Sequence, residues 1–192
     1  MLLLWKVIPL PFMPEVSVQN ESIDTVVRKT AFFQGLPPQT MELVLPLCRE
    51  EVWPGETMLA RAGEPADAFW IIRSGGVCVC MDIPGGGRQV LQTLGTGEVL
   101  GWSWLFPPWE WTFSGETLGE TRLIRVDAAS LRPELRRFPS VGYALALRVA
   151  RIMMMRLRHT EQALAGMHKT VNRYHPRSRG SGESLSPGRT EV

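Results

Sequence analysis

EVWPGETMLARAGEPADAFWIIRSGGVCVCMDIPGGGRQVLQTLGTG, residues 51–97, is a series of short apolar pieces cut at nearly even intervals by glycine: Gly55, Gly63, Gly75-Gly76, Gly85-Gly86-Gly87, Gly95 and Gly97. Short extended segments joined by tight turns have this punctuation, which predicts an all-β roll or barrel. The pieces are EVWP, ETMLARA, AFWIIRS, GVCVCMDI and RQVLQTLG, followed further on by ETRLIRVD. Val77, Val79 and Met81 alternate with Cys78, Cys80 and Asp82, as they would on the two faces of a strand. Cys78 and Cys80 therefore share a face, a geometry compatible with metal binding. Cysteine is also a common buried small residue, and the roll contains no histidine to complete a site, so no metal is assigned. Pro84 to Arg88 reads as a hairpin tip, too far from a following helix to be a phosphate loop.

The roll pattern is interrupted by GEVLGWSWLFPPWEWTFSG, residues 97–115, which holds Trp102, Trp104, Trp109 and Trp111. Trp102 to Phe106 has room for about one and a half helical turns before Pro107-Pro108 stops it. Two readings compete. A glycine leading into a short helix can offer free backbone amides to an anion, whereas clustered tryptophans also make a packed apolar cap.

On the N-terminal side, residues 15–29 carry a weak helical pattern with Ser22 or Asp24 as cap, and Thr40 is expected to cap MELVLPLC. On the C-terminal side, Asp127 or Ser130 caps a short helix that Pro139 ends. From Ser140 to about Met167 runs the longest uninterrupted pattern in the chain. Ala146, Ala150, Met153, Leu157, Thr160, Leu164 and Met167 recur in alternating steps of four and three, a seam of 3.5-residue period. One helix of that length cannot bury such a seam on its own roll, so a second copy of the chain is the expected partner. Arg148, Arg151, Arg156 and Arg158 lie off the seam and read as its solvated face.

The composition narrows the function. With 21 basic and 19 acidic residues in 192, the net charge is +2, which gives no mandate for nucleic acid or an anionic membrane. Cys48, Cys78 and Cys80 form no disulfide framework and suit a reducing cytoplasm. The opening MLLLWKVIPLPFM is broken by Lys6, Pro9 and Pro11, well short of the roughly 20 apolar residues of a membrane span. His159, His168 and His175 all lie outside the roll, and no nucleophile-base pair appears, so no catalytic residues are assigned and an enzyme is not expected.

The order of these parts resembles the cyclic-nucleotide-binding effector domain of Crp/Fnr-type regulators. The carriers are TAFFQGLPPQTMELV, WPGETMLARAGEPADAFWIIRSGGVCV, LGTGEVLGWSWLF and MRLRHTEQAL, spread over about Ala31 to Leu164. The resemblance implies a mainly β fold with flanking helices: a double-stranded β-helix, jelly-roll or cupin-like, followed by a long C-terminal helix. The domain layout is then an arm at 1–20, the roll with its entry helices at 21–139, a dimerisation helix at 140–168 and a disordered tail at 169–192. Residues 97–115 become a phosphate-binding cassette, with Gly101, Trp102, Ser103, Trp111, Thr112 and Ser114 as ligand-facing residues and Thr160 offering its hydroxyl from the long helix.

The cassette departs from the family pattern at the two residues that hold a cyclic nucleotide. Trp102 stands where the glutamate for the ribose hydroxyl belongs, and Trp111 or Thr112 where the arginine for the phosphate belongs. No arginine or lysine lies between Arg88 and Arg122. Loss of that charge-assisted partner should cost about 1.5–3 kcal/mol. The family's helix-turn-helix would follow the long helix, and residues 169–192 carry no two-helix pattern, so DNA reading by that route is not expected. The expectation is a ligand-sensing regulatory module, a homodimer acting on a separate protein partner, whose small-molecule ligand is unassigned. A ligand-free scaffold on the same fold is the alternative.

Overall fold

The computed structural model describes residues 21–174, with side chains excepted at 159, 160 and 162–174. The expected arm at 1–20 and the tail from 175 onward lie outside the described residues, as do the side chains of Thr160, Leu164 and Met167.

The glycine-punctuated pieces form antiparallel strands: β1 Cys48–Trp53, β2 Met58–Ala60, β3 Ala68–Ser74, β4 Val77–Ile83, β5 Gly87–Leu94, β6 Val99–Leu100, β7 Ser114–Thr117 and β8 Thr121–Asp127. They make two four-stranded sheets, ordered β1-β8-β3-β6 and β2-β7-β4-β5. The chain crosses from one sheet to the other at most connections, which is the double-sheet jelly roll that the resemblance implies. Strands β6 and β7 are absent from the list of predicted pieces. Two residues are too few to show a period, and β7 begins inside the tryptophan-rich stretch.

β3 is buried on both sides from Ala68 to Arg73, lying between β8 and β6 with α3 packed against it. The alternation predicted for β4 is replaced by a lengthwise division: Val77 to Cys80 are all buried and Met81 to Ile83 all exposed. The cause is the pairing. β7 covers β4 only over Val77–Cys80, while β5 follows it to Ile83, so the outer half is a two-stranded ribbon. Gly85 and Gly87, with φ of 74° and 76°, turn the tip of that ribbon as expected.

The described residues also hold four α-helices: α1 Ile23–Lys29, α2 Pro38–Val44, α3 Ala128–Arg137 and α4 Pro139–Tyr174. Ser22 caps α1, accepting from the Thr25 amide, and Asp127 caps α3, accepting from the Ser130 amide. The expected cap at Thr40 is corrected. α2 starts at Pro38, whose ring presets the helical φ and whose missing N–H would have had no partner there, so Thr40 falls inside the helix. Its hydroxyl is buried without a hydrogen-bond partner. Pro139 likewise opens α4 directly after α3.

The chain divides into two units, Met1–Ala150 and Arg151–Val192. In the first, Val141, Leu145 and Val149 of α4 are fully buried at steps of four, while Tyr143, Leu147 and Ala150 are exposed. Arg148 donates to the Gln34 carbonyl. In the second unit, Met153, Met154, Met155 and Leu157 are exposed. Of the expected seam, Ala146 is half-buried and Ala150, Met153 and Leu157 are exposed. Among the described residues, no helix is long and apolar enough to cross a membrane.

Candidate functional site

The loop between β6 and β7 is built from its glycine outward. Gly101 has φ 105°, and a Cβ there would meet Trp111 Cη2 at 2.8 Å and Phe69 Cβ at 3.2 Å. Only glycine fits, because both the backbone and the space are already committed. The helix expected over Trp102 to Phe106 is a single 3-10 turn, Ser103–Leu105, closed by the Leu105 amide on the Trp102 carbonyl at 3.2 Å. One turn has little macrodipole to offer an anion. Pro107 and the pull of Trp104 into the core keep it short.

The tryptophans divide into two buried and two more open. Trp104 is fully buried and stacks on Phe69, with ring centroids 4.7 Å apart and planes 17° apart. Its Nε1–H has no hydrogen-bond partner. Trp111 is buried and stacks on Trp70 at 5.6 Å and 26°. Trp70 in turn donates to Glu51 Oε2 at 3.2 Å, a carboxylate that also accepts from Trp53 and Arg49. Burial raises the Glu51 pKa, but the donors Trp53, Trp70 and Arg49 outweigh it and hold the carboxyl below its ordinary value. Trp102 is half-buried, and Trp109 is exposed with φ 61°, a left-handed conformation uncommon for a large side chain.

The hydroxyls of the expected ligand set have internal partners. Ser103 Oγ accepts from the Thr112 amide at 3.2 Å and lies 3.2 Å from Thr112 Oγ1. Ser114 Oγ accepts from the Ala62 amide at 3.1 Å. Ser103 and Ser114 are buried, and Thr112 is exposed. The structure thus brings Gly101, Trp102, Ser103, Trp111, Thr112 and Ser114 into one loop and its exit strand. Thr160 is outside the described side chains.

The return half of the loop is laced to residues 63–66. Gly63 donates to the Trp111 carbonyl and Ala66 to the Trp109 carbonyl, at 2.8 and 2.6 Å, and the Trp111 amide donates to the Glu64 carbonyl at 2.8 Å. A cation also reaches the loop from outside its own stretch of sequence. Arg132 of α3 donates to the carbonyls of Ala66 and Trp104 at 3.0 and 3.3 Å and to Asp67 at 2.7 Å. Its guanidinium lies 5.3 Å from the Trp109 ring centroid. Nothing in the sequence signals this contact, because α3 follows the cassette by two strands. With these four partners Arg132 is a clamp on the loop, already bonded to the protein rather than held out for a phosphate.

Residues 50–138 match the family model described as the cyclic nucleotide-binding domain. The CRP-like cAMP-activated global transcriptional regulator of Mycobacterium tuberculosis is 29% identical over 146 residues, 76% of this chain and 63% of that protein. The chain therefore spans less than two thirds of the length of that curated relative. Among solved structures, the N-terminal domain of a transcriptional regulator from Streptomyces coelicolor is similar with a TM-score of 0.54 and 28% identity, covering 81% of this chain and 99% of that one. A cyclic nucleotide-binding domain from Methylobacillus flagellatus, with a TM-score of 0.62, 21% identity and coverages of 76% and 82%, shares the fold.

Proposed function

With a roll that is a cyclic-nucleotide-binding-type domain resembling the effector domain of Crp/Fnr regulators, we propose that this chain is a dimeric sensor module that acts on a separate protein partner. The observation that carries the reading is the outward face of α4. In the first unit Tyr143, Leu147 and Ala150 are exposed, whereas Val141, Leu145 and Val149 are buried; in the second, Met153, Met154 and Leu157 are exposed, so Ala150, Met153 and Leu157 of the expected seam are open and Ala146 is half-buried. Exposed apolar residues at coiled-coil spacing are the signature of a helix waiting for its like. Ligand occupancy of the roll would act by changing the angle or order of the paired helices.

The same reading makes the ligand planar or apolar rather than a standard cyclic nucleotide. Neither a glutamate nor an arginine stands in the cassette at the family positions, and Ser103 and Ser114 are spent on internal bonds. Among the described members of the set, Trp102 and Thr112 retain exposed surface. Stacking on tryptophan can replace part of the missing charge pairing.

One observation favours a ligand-free scaffold instead: Trp104 and Trp111 are packed into the core and fill the loop from within. Intrinsic tryptophan fluorescence with calorimetry, titrating cyclic AMP, cyclic GMP and a cyclic dinucleotide, separates the readings. Saturable binding at about micromolar concentration, worth about 8 kcal/mol, would mean that amides and stacking substitute for the missing pair. Silence to millimolar concentration with all three removes the nucleotide-sensor reading and leaves another small planar ligand or the scaffold.

A further inference from the structure

Two of the roll's cysteines meet a carboxylate that the sequence keeps far from them. Cys78 of β4 is the direct cross-strand neighbour of Glu116 of β7, and Cys80 lies two residues further along the same face. The two Sγ atoms and a Glu116 carboxylate oxygen all lie within 4.8 Å of one another. We propose that Cys78, Cys80 and Glu116 form a binding site for a thiophilic closed-shell cation, zinc being the ordinary biological case, with a fourth position for water.

The geometry favours ligation over a disulfide. Residues i and i+2 of a strand have Cα atoms about 6.7 Å apart, at the upper limit for a disulfide. A tetrahedral zinc ion with Zn–S of about 2.3 Å holds two thiolates about 3.8 Å apart, so side-chain adjustments of about 1 Å close the cluster. Both thiols are free, and both are buried. Glu116 is half-buried beside them, so the set opens toward solvent on its carboxylate side.

A cation beside the cluster is the second argument. Two thiolates and a carboxylate around a divalent ion leave one negative charge, and Arg88 of β5 stands beside it. Its Nε pairs with the more exposed Asp82 at 3.3 Å, while its Nη1 donates to Glu116 Oε2 at 2.6 Å. That bond also orients the carboxylate from outside, the role that outer partners play for metal-binding carboxylates. An ion here would tie β4 to β7 at the strand where the tryptophan loop re-enters the sheet, since Cys80 pairs with Ser114, the first residue of β7.

The test is cobalt(II) titration of the reduced full chain, read by the thiolate-to-cobalt charge-transfer band in the near ultraviolet. The expected result is one cobalt per chain, displaced by zinc, with the band lost in Cys78→Ser and in Cys80→Ser. Cys48→Ser should leave it unchanged. Glu116→Gln, at a half-buried position, should keep the fold by circular dichroism and weaken binding at least about tenfold. Histidine sites outside the roll give no thiolate band, so they are not mistaken for this one. A folded, reduced chain that shows no such band overturns the proposal, and so does a band that survives both cysteine substitutions.

Discussion

At the residue scale, Gly101 and Glu51 show how local chemistry is tied to the core. Gly101→Ala has to place a Cβ at φ 105° and 2.8 Å from the Trp111 ring. Strain and overpacking together should cost about 2–4 kcal/mol. Gly97→Ala is the control: its φ is 84° but nothing lies within 4 Å of the new Cβ, so backbone strain alone should cost about 1 kcal/mol. Urea denaturation of the two variants measures the difference, and equal midpoints would mean that Trp111 does not pack on Gly101. Glu51 bears on pH. Its carboxyl is held below the ordinary value in the folded protein, so its contribution is fully present above the unfolded value of about 4.3. That contribution is lost as pH falls through the lower, folded value. Glu51→Gln should lower stability by about 1.5–3 kcal/mol at neutral pH. It should also flatten the acid limb of the stability profile below about pH 4.3, measured as unfolding midpoints across pH. An unchanged acid limb would show that other carboxylates carry it. Cys48 belongs to the same scale: burial pushes its thiol up to about 12, which places it among structural rather than reactive cysteines.

At the element scale, the loop between β6 and β7 owes its shape to elements distant in sequence. β3 provides Phe69 and Trp70 as stacking platforms, and α3 provides the Arg132 clamp. Arg132→Met keeps much of the stem but loses two carbonyl bonds, the Asp67 pair and the contact with Trp109. The expected loss is about 1.5–3 kcal/mol, accompanied by faster hydrogen exchange at the Ala66 and Trp111 amides, whose bonds lace the loop down. A loss of stability without faster exchange there would place Arg132's role elsewhere. The elements also show which local signals can be read. The caps of α1 and α3 are legible to within two candidates each, because a short polar side chain before an apolar run has one strong use; the structure selects Ser22 over Asp24 and Asp127 over Ser130. Thr40 misleads for the same reason: it stands before an apolar run, yet Pro37-Pro38 had already started the helix.

For the whole molecule, the proposed dimer is tested on α4. Each copy exposes Leu147 and Leu157, and burying a leucine is worth about 1.5–3 kcal/mol. On the proposed assembly, the double variant Leu147→Glu, Leu157→Glu should be monomeric by light scattering at concentrations where the unaltered chain is expected to be dimeric, with the roll's unfolding midpoint retained. A variant that stays dimeric rules out this face as the seam. Local stretches of the sequence were enough for an all-β roll or barrel, the hairpin tip and the place of the tryptophan loop, and they narrowed two helix caps to a pair of candidates each; the jelly-roll class came from the family resemblance. Each of the local ones rests on short-range signals, chiefly glycine turns and capping residues, whereas the two-residue alternation read in β4 did not hold, because β7 pairs with only its first half. That Trp104 and Trp111 face the core while Trp102 stays half-open is a matter of packing, since four tryptophans in one loop carry no periodicity to assign their faces. The tertiary structure also brought Arg132 to the loop and Glu116 beside Cys78 and Cys80. Those contacts join residues tens of positions apart through strand register and helix docking. Register is set by the packing of the whole sheet, so no local stretch of sequence encodes it.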